Sequence, residues 1–255
     1  MSRVGVLIYG LLGYAVFLVV FAYGLGFIGG FVTPTMLDGA PHRSWEAALA
    51  IDLGLLTLFA LQHSGMARPR FKRWWTRMVP RAAERSTYVL VTSLVLAALF
   101  LYWEPIGGVV WQASSVGIHT VVVTWYFCGW LLVLYATFLI DHFDLFGLTQ
   151  VWRHFAGRPY RASQLDTPSL YLVVRQPLYV GWLTVFWAAP TMTVAHLVFA
   201  LLTTAYILIS IRLEERDLLS GFGDLYIEYR EHTPLFIPPL TSQQSAVAAK
   251  GMLDA

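Results

Sequence analysis

The chain has 255 residues, of which 57% are hydrophobic and only 13% charged, about half the charged fraction usual in soluble proteins. The net charge is +2 and the basic residues are interrupted by apolar runs, which argues against a nucleic-acid partner and for a bilayer as solvent. A single cysteine, Cys128, excludes an internal disulfide and a cysteine-based zinc site.

A helix rising ~1.5 Å per residue needs about 20 apolar residues to cross a ~30 Å hydrocarbon core. The first apolar run, Val4 to Phe31, covers 28 residues, too many for a cleavable leader whose apolar part is about 7 to 15 long, so it is expected to remain as an anchor. Gly26 and Gly30 near its end form a small-xxx-small pair, expected to serve helix packing. A second span, Trp45 to Leu61, contains Asp52, read as a buried hydrogen-bond partner for a neighbouring helix, and ends in Gln62-His63-Ser64. A third runs from Ser86 to Trp103. The fourth runs from His119 to Ile140 and ends in Asp141-His142-Phe143-Asp144. The last apolar stretch, Leu178 to Ile211, has 34 residues and is broken at Pro190-Thr191-Met192-Thr193. It is too long for one span and marginal for two, which predicts a tight helical hairpin that enters and returns on one side. His119, opening the fourth span, and His196, near the hairpin turn, are read as interfacial. From Thr241 onward the chain lacks periodicity and is taken as a disordered tail. No internal repeat is visible, which weakens a transporter built from duplicated halves.

Cytoplasmic loops carry the excess of Lys and Arg. Arg68, Arg70, Lys72, Arg73, Arg77, Arg81 and Arg85 fill the second loop. Arg153, Arg158, Arg161 and Arg175 precede the hairpin; Arg212, Arg216, Arg230 and Lys250 follow it; Arg3 begins the chain. Sixteen of the seventeen basic residues thus share one side, Arg43 alone taking the other, provided that the hairpin returns. The fold class that follows is all-α: a polytopic membrane protein of four spans plus a C-terminal membrane hairpin, both termini cytoplasmic.

Ionisable groups at the ends of spans are costly. His63, His142, Asp141 and Asp144 should lie at one depth on the cytoplasmic side, where two imidazoles and two carboxylates can converge on one site as a general base and its orienting group. The competing reading makes them snorkelling or capping groups. No His-x-x-x-His or comparable spacing supports a metal. A second group flanks the hairpin: Arg175-Gln176-Pro177-Leu178-Tyr179-Val180-Gly181 before it, Glu214-Glu215-Arg216-Asp217 after it. Pro177 suits the first turn of the helix it opens. Arg175, or the free amides of that helix start, would suit a carboxylate; a glutamate would suit an ammonium or ribose hydroxyls. An interfacial charge cluster pinning a helix end accounts for the same residues equally well.

The spacing Arg175-x-Pro177-x-Tyr179-x-Gly181, an apolar hairpin, then Glu214-Glu215-x-x-Leu218-x-x-x-Phe222-Gly223-x-x-Tyr226-x-x-Tyr229 resembles the cofactor-binding end of the isoprenylcysteine carboxyl methyltransferase superfamily. Gln62 to Arg68, Glu84 to Tyr88, His142 to Leu148 and Phe186 to Thr193 are similar to its small-thiol branch, which converts methanethiol to dimethyl sulfide, and they extend the resemblance over Trp45 to Pro238. The resemblance implies one membrane methyltransferase domain over residues 1–240, with a cofactor-binding end over 141–240 and the tail over 241–255. S-adenosylmethionine would be held in a cytoplasmic pocket by Arg175, Gln176, Pro177, Tyr179, Gly181, Glu214 and Glu215, and the acceptor, a small thiol, would enter from the membrane. Gln176 stands where the superfamily usually has histidine.

A thiol needs a base or a nearby positive charge to react at neutral pH, since even free cysteine has a pKa of ~8.5. His63 and His142 are the candidate bases, Asp144 the candidate orienting carboxylate, and Tyr88 and Arg85 candidate lining of the same chamber. A site that only aligns thiol and methyl is the alternative. A prenylcysteine or phospholipid acceptor, a nicotinamide-dependent reductase lacking any glycine-rich fingerprint, and a non-enzymatic membrane protein are the competing functions.

Overall fold

In a computed structural model, which describes residues 2–160 and 169–237, the chain is mostly helical. Arg161, Lys250 and the tail expected from Thr241 lie outside the described residues. In order come α1 (Arg3–Gly29), α2 (Trp45–Ala67), α3 (Pro69–Trp75), a 3-10 turn (Arg81–Ala83), α4 (Glu84–Tyr102), the short strand β1 (Val109–Gln112) and α5 (Val116–Leu139). There follow α6 (His142–Leu145), α7 (Leu148–Phe155), α8 (Leu170–Val173), α9 (Pro177–Trp187), strand β2 (Thr191–Thr193), α10 (Val194–Phe222) and α11 (Asp224–His232). Five of these, α1, α2, α4 with its preceding turn, α5 and α10, are long and apolar enough to cross a membrane. Leu12, Val19, Val121, Leu131, Leu201 and Ile209 lie exposed on three of these helices, an arrangement suited to lipid rather than to water.

The hairpin is asymmetric. α9 has 11 residues and rises about 16 Å, half a hydrocarbon core, while α10 has 29. Its turn is clamped from outside: β2 pairs antiparallel with β1, Val109 opposite Thr193 and Gln112 opposite Thr191, with an irregularity between Val109 and Trp111. The Ala113 N–H also donates to the Pro190 carbonyl at 2.8 Å. Both strands lie at the bundle end that holds Arg43, whose guanidinium donates to Glu104 at 2.8 Å. At the opposite end Arg68 bonds Asp217 of α10 at 3.0 Å, and α7 docks on α1, where a Cβ on Gly10 would sit 2.6 Å from Val151. The hairpin therefore does return to the end it left, and the basic segments around Arg68, Arg85, Arg153 and Arg175 share that end.

Helix association in lipid rests on close packing and on hydrogen bonds rather than on a hydrophobic drive. The tightest crossing is α5 on α9, where a Cβ on Gly181 would lie 2.9 Å from the Val133 nitrogen and one on Gly129 would lie 3.1 Å from the Gly181 carbonyl. Gly26 and Gly30 do not perform the helix packing expected of them. Gly30 caps α1 at φ 72°, a left-handed conformation that favours glycine, and a Cβ on Gly26 would collide with the Phe31 carbonyl at 2.6 Å, because the chain after α1 folds back on it. Asp52 is fully buried and accepts the Glu104 N–H at 3.0 Å, which ties α2 to the end of α4.

His196 stands near the hairpin turn, but packed into protein rather than open at the surface. It is 2% exposed; its Nδ1 lies 2.9 Å from Asp38, which also accepts the Thr193 hydroxyl, and its Nε2 lies 3.1 Å from the Phe186 carbonyl. Together these bonds fasten both arms of the hairpin to the segment after α1.

Candidate active site

α2 continues past Leu61 to Ala67, so His63 lies within its last turns rather than beyond its end. The imidazole stacks on Phe59 at 5.2 Å between centroids, and the Tyr88 hydroxyl of α4 stands 3.0 Å from Nδ1 and 2.9 Å from Nε2. One hydroxyl can engage only one of these nitrogens at a time, so the other is open to a further partner. Arg85, a turn before Tyr88, places its guanidinium 5.1 Å from the Tyr88 ring centroid, while its Nε donates to the Leu145 carbonyl at 2.6 Å. From α10, Tyr206 completes the group, its hydroxyl 3.1 Å from Ser64 Oγ. A cavity of about 150 Å³ adjoins it between α2 and α10, walled by Leu53, Leu56, Thr57, Phe59, Ala60, Leu202, Thr203 and Tyr206, and mostly apolar.

Tyr206 was not singled out in the sequence. A tyrosine in an otherwise apolar run was its only signal, and interfacial tyrosines share it. Tyr206 packs against Phe59 and His63 of α2, at 5.7 and 6.5 Å between ring centroids. On α9, Tyr179 donates to Glu214 at 3.3 Å.

Beyond that pair, Arg175 and Glu215 face each other at 3.1 Å, both largely buried. The pair is close in charge but not aligned as a hydrogen bond, since Arg175 Nε and Glu215 Oε1 have no hydrogen-bond partner. Arg175 is held from behind by its Nη1 on the Arg230 carbonyl at 2.8 Å and its backbone N–H on the Pro234 carbonyl at 2.9 Å. Gln176 is buried as the residue before α9 and Pro177 opens that helix. Gly181 belongs elsewhere. Two residues along a helix turn by about 200°, so with Tyr179 facing Glu214, Gly181 faces α5.

The same rule separates His142 from Asp144. His142 is buried, with Nε2 2.8 Å from the Tyr14 hydroxyl and Nδ1 2.8 Å from Thr137 Oγ1, its ring stacked on Phe138 at 4.3 Å. The Thr137 hydroxyl spends its one proton on the Leu134 carbonyl at 2.7 Å, so Nδ1 carries a proton and Nε2 accepts from Tyr14. Both nitrogens are thus engaged, and the residue ties α1, α5 and α6 together. Burial holds its pKa below the ordinary value, with the Asp141 carboxylate opposing the shift. Asp144 orients neither imidazole: it accepts the Tyr160 hydroxyl at 3.0 Å. Burial raises its pKa, against the lowering effect of that bond. Asp141 caps the short α6 by accepting the Asp144 N–H at 3.1 Å. The four ionisable groups expected at one depth therefore divide into His63 in the chamber and three others outside it.

A methanethiol S-methyltransferase of Crocosphaera subtropica is 50% identical over 238 residues, covering 93% of each chain. The chain belongs to the methanethiol S-methyltransferase family. A member from Mycobacterium tuberculosis is 43% identical over 238 residues, 93% of this chain and 98% of that one. Human nurim is more distant, 37% identical over 190 residues, covering 71% and 72%. No family model matches the chain, and no solved structure does. The matches to methanethiol S-methyltransferases span both groups just described, the chamber of His63, Tyr88 and Tyr206 and the buried charges of Arg175 and Glu215.

Proposed function

We propose that the chain methylates methanethiol to dimethyl sulfide, with S-adenosylmethionine as methyl donor, in a site that faces the cytoplasm. The observation that carries this reading is a small, mostly apolar recess bordered by Phe59 and Tyr206, both of which pack against His63, in a chain that also holds the buried, incompletely bonded pair of Arg175 and Glu215. Placement of the basic segments at that end of the bundle supports the orientation.

The residues fit the donor. The Arg175 guanidinium suits a carboxylate, the Glu215 carboxylate suits an ammonium, and Glu214 with Tyr179 suits ribose hydroxyls. Gln176, where a histidine is usual, keeps hydrogen-bonding capacity but cannot become charged. When bound, S-adenosylmethionine would supply a sulfonium methyl group, whose carbon a thiolate can attack as the neutral thioether leaves. His63 takes the thiol proton on the ring nitrogen that Tyr88 leaves free, and Tyr88 holds the ring in place. The cation of Arg85 beside Tyr88 favours negative charge in the chamber. Phe59, Leu56 and Leu202 present apolar surface, which would solvate a thiolate poorly and so leave it reactive. A recess of about 150 Å³ suits a one-carbon thiol and leaves no room for a prenyl or acyl chain within it.

Headspace gas chromatography of detergent-purified protein supplied with S-adenosylmethionine and methanethiol tests the proposal, with Glu214→Ala as control. Dimethyl sulfide from the wild type and little from the variant is expected. Cofactor binding by calorimetry with no volatile product would move the acceptor to larger thiols or lipids, and absence of both would end the proposal.

A further inference from the structure

A second cavity, of about 720 Å³, opens at the basic end of the bundle, and none of the residues assigned above to the methyl donor lines it. Its walls are cationic: Lys72 of α3, Arg81 of the 3-10 turn, Arg85 of α4 and Arg158 from the segment after α7, against Glu84 and Asp144. Among the described residues none of these four cations has an ion-pair partner within 4.0 Å, and Asp144 is already bonded to Tyr160. Like charges brought from four segments to one concavity repel one another, a cost that a bound anion offsets.

A further observation narrows the ligand. The depth is that of a membrane edge, because Arg85 lies in the first turn of α4 and Ile140 directly follows α5. We propose that this cavity binds a phosphate-bearing anion at the membrane edge, with Lys72, Arg81, Arg85 and Arg158 on the phosphate. Either a lipid headgroup or a soluble phosphate ester presents that chemistry. Through Arg85, which also touches Tyr88, the occupant stands one side chain from the methyl-transfer chamber.

Native mass spectrometry of the full chain in detergent, titrated with phosphatidylglycerol, phosphatidylcholine or glycerol phosphate, tests this. The wild type is expected to retain phosphatidylglycerol or glycerol phosphate and not phosphatidylcholine. Combined Lys72→Gln, Arg81→Gln and Arg158→Gln should weaken retention about a hundredfold, at roughly fivefold for each cation at a membrane surface. A control with Arg70→Gln, Arg73→Gln and Arg77→Gln removes as many cations from the same loop outside the cavity and should retain the ligand. Thermal melting checks that each variant is folded. Retention of glycerol phosphate alone, lost in the cavity variant, would keep the site and assign it a soluble ester. Equal loss in both triple variants would reduce the effect to general attraction of a basic loop for anions, and unchanged retention in the cavity variant would remove the site; either result overturns the proposal.

Discussion

At the residue scale, two histidines of similar sequence context have opposite surroundings, and their variants should behave differently. Tyr88 can engage only one ring nitrogen of His63 at a time, and with the other as the proposed base His63→Ala should lower turnover by about a hundredfold, a usual loss for a general base, with donor affinity by calorimetry unchanged. Near-normal turnover would leave alignment alone as the source of the rate. His142 is buried with both nitrogens bonded, and its loss should show in stability instead. Its folded pKa is depressed, so the unfolded chain binds the proton more readily. The stabilisation is therefore present above the unfolded value of about 6.5 and is lost as pH falls below it. Melting temperature should drop on acidification from pH 7 to 5.5, and less steeply in His142→Gln; equal slopes would rule out His142 as the source. Sequence showed the residue types but not this division. His142 and Asp144 look like neighbours in a chain of letters, yet a two-residue step along a helix turns them apart, and the Asp38 partner of His196 is 158 positions away.

At the element scale, the spans were legible because a bilayer imposes a length and a composition on any helix that crosses it. Trp45 opens α2 as expected, and the break at Pro190 to Thr193 falls where the hairpin turns. What the letters did not convey is that α9 is short and that β1 reaches across some eighty residues to pair with β2. Strands of three and four residues have too little periodicity to read, and Val109 to Gln112 is exposed throughout. Gly181 illustrates the same limit: its motif spacing suggested a ligand contact, whereas its lack of a side chain lets α9 approach α5. Gly181→Val should therefore destabilise the fold by about 1 to 3 kcal/mol, the range for overpacking a close contact. Gly54→Ala, in α2 with open space around it, should be neutral or gain up to about 1 kcal/mol from helix propensity. Melting curves in detergent compare the two, and similar curves would mean that the α5–α9 crossing yields easily.

At the scale of the whole molecule, charge and topology constrain each other. Arg43 sits beside Glu104 and the strands at one end, and the loop from Arg68 to Arg85 sits with the buried charges of Arg175 and Glu215 at the other. The positive-inside rule predicts that the second end faces the cytoplasm, so the proposed orientation and the proposed methyl donor are tested together. The lone Cys128 makes this testable, since replacing it with alanine leaves a chain free of thiols. On that background, Arg43→Cys should react with a membrane-impermeant maleimide in intact cells, and Arg77→Cys only after permeabilisation. Both positions are exposed, so failure of Arg43→Cys to react cannot be blamed on burial. Labelling of Arg77→Cys in intact cells would place the basic loop outside, and with it the chamber of His63 and the pair of Arg175 and Glu215 that lie at the same end. A site so placed would have no supply of S-adenosylmethionine, and the donor assignment would fail together with the orientation.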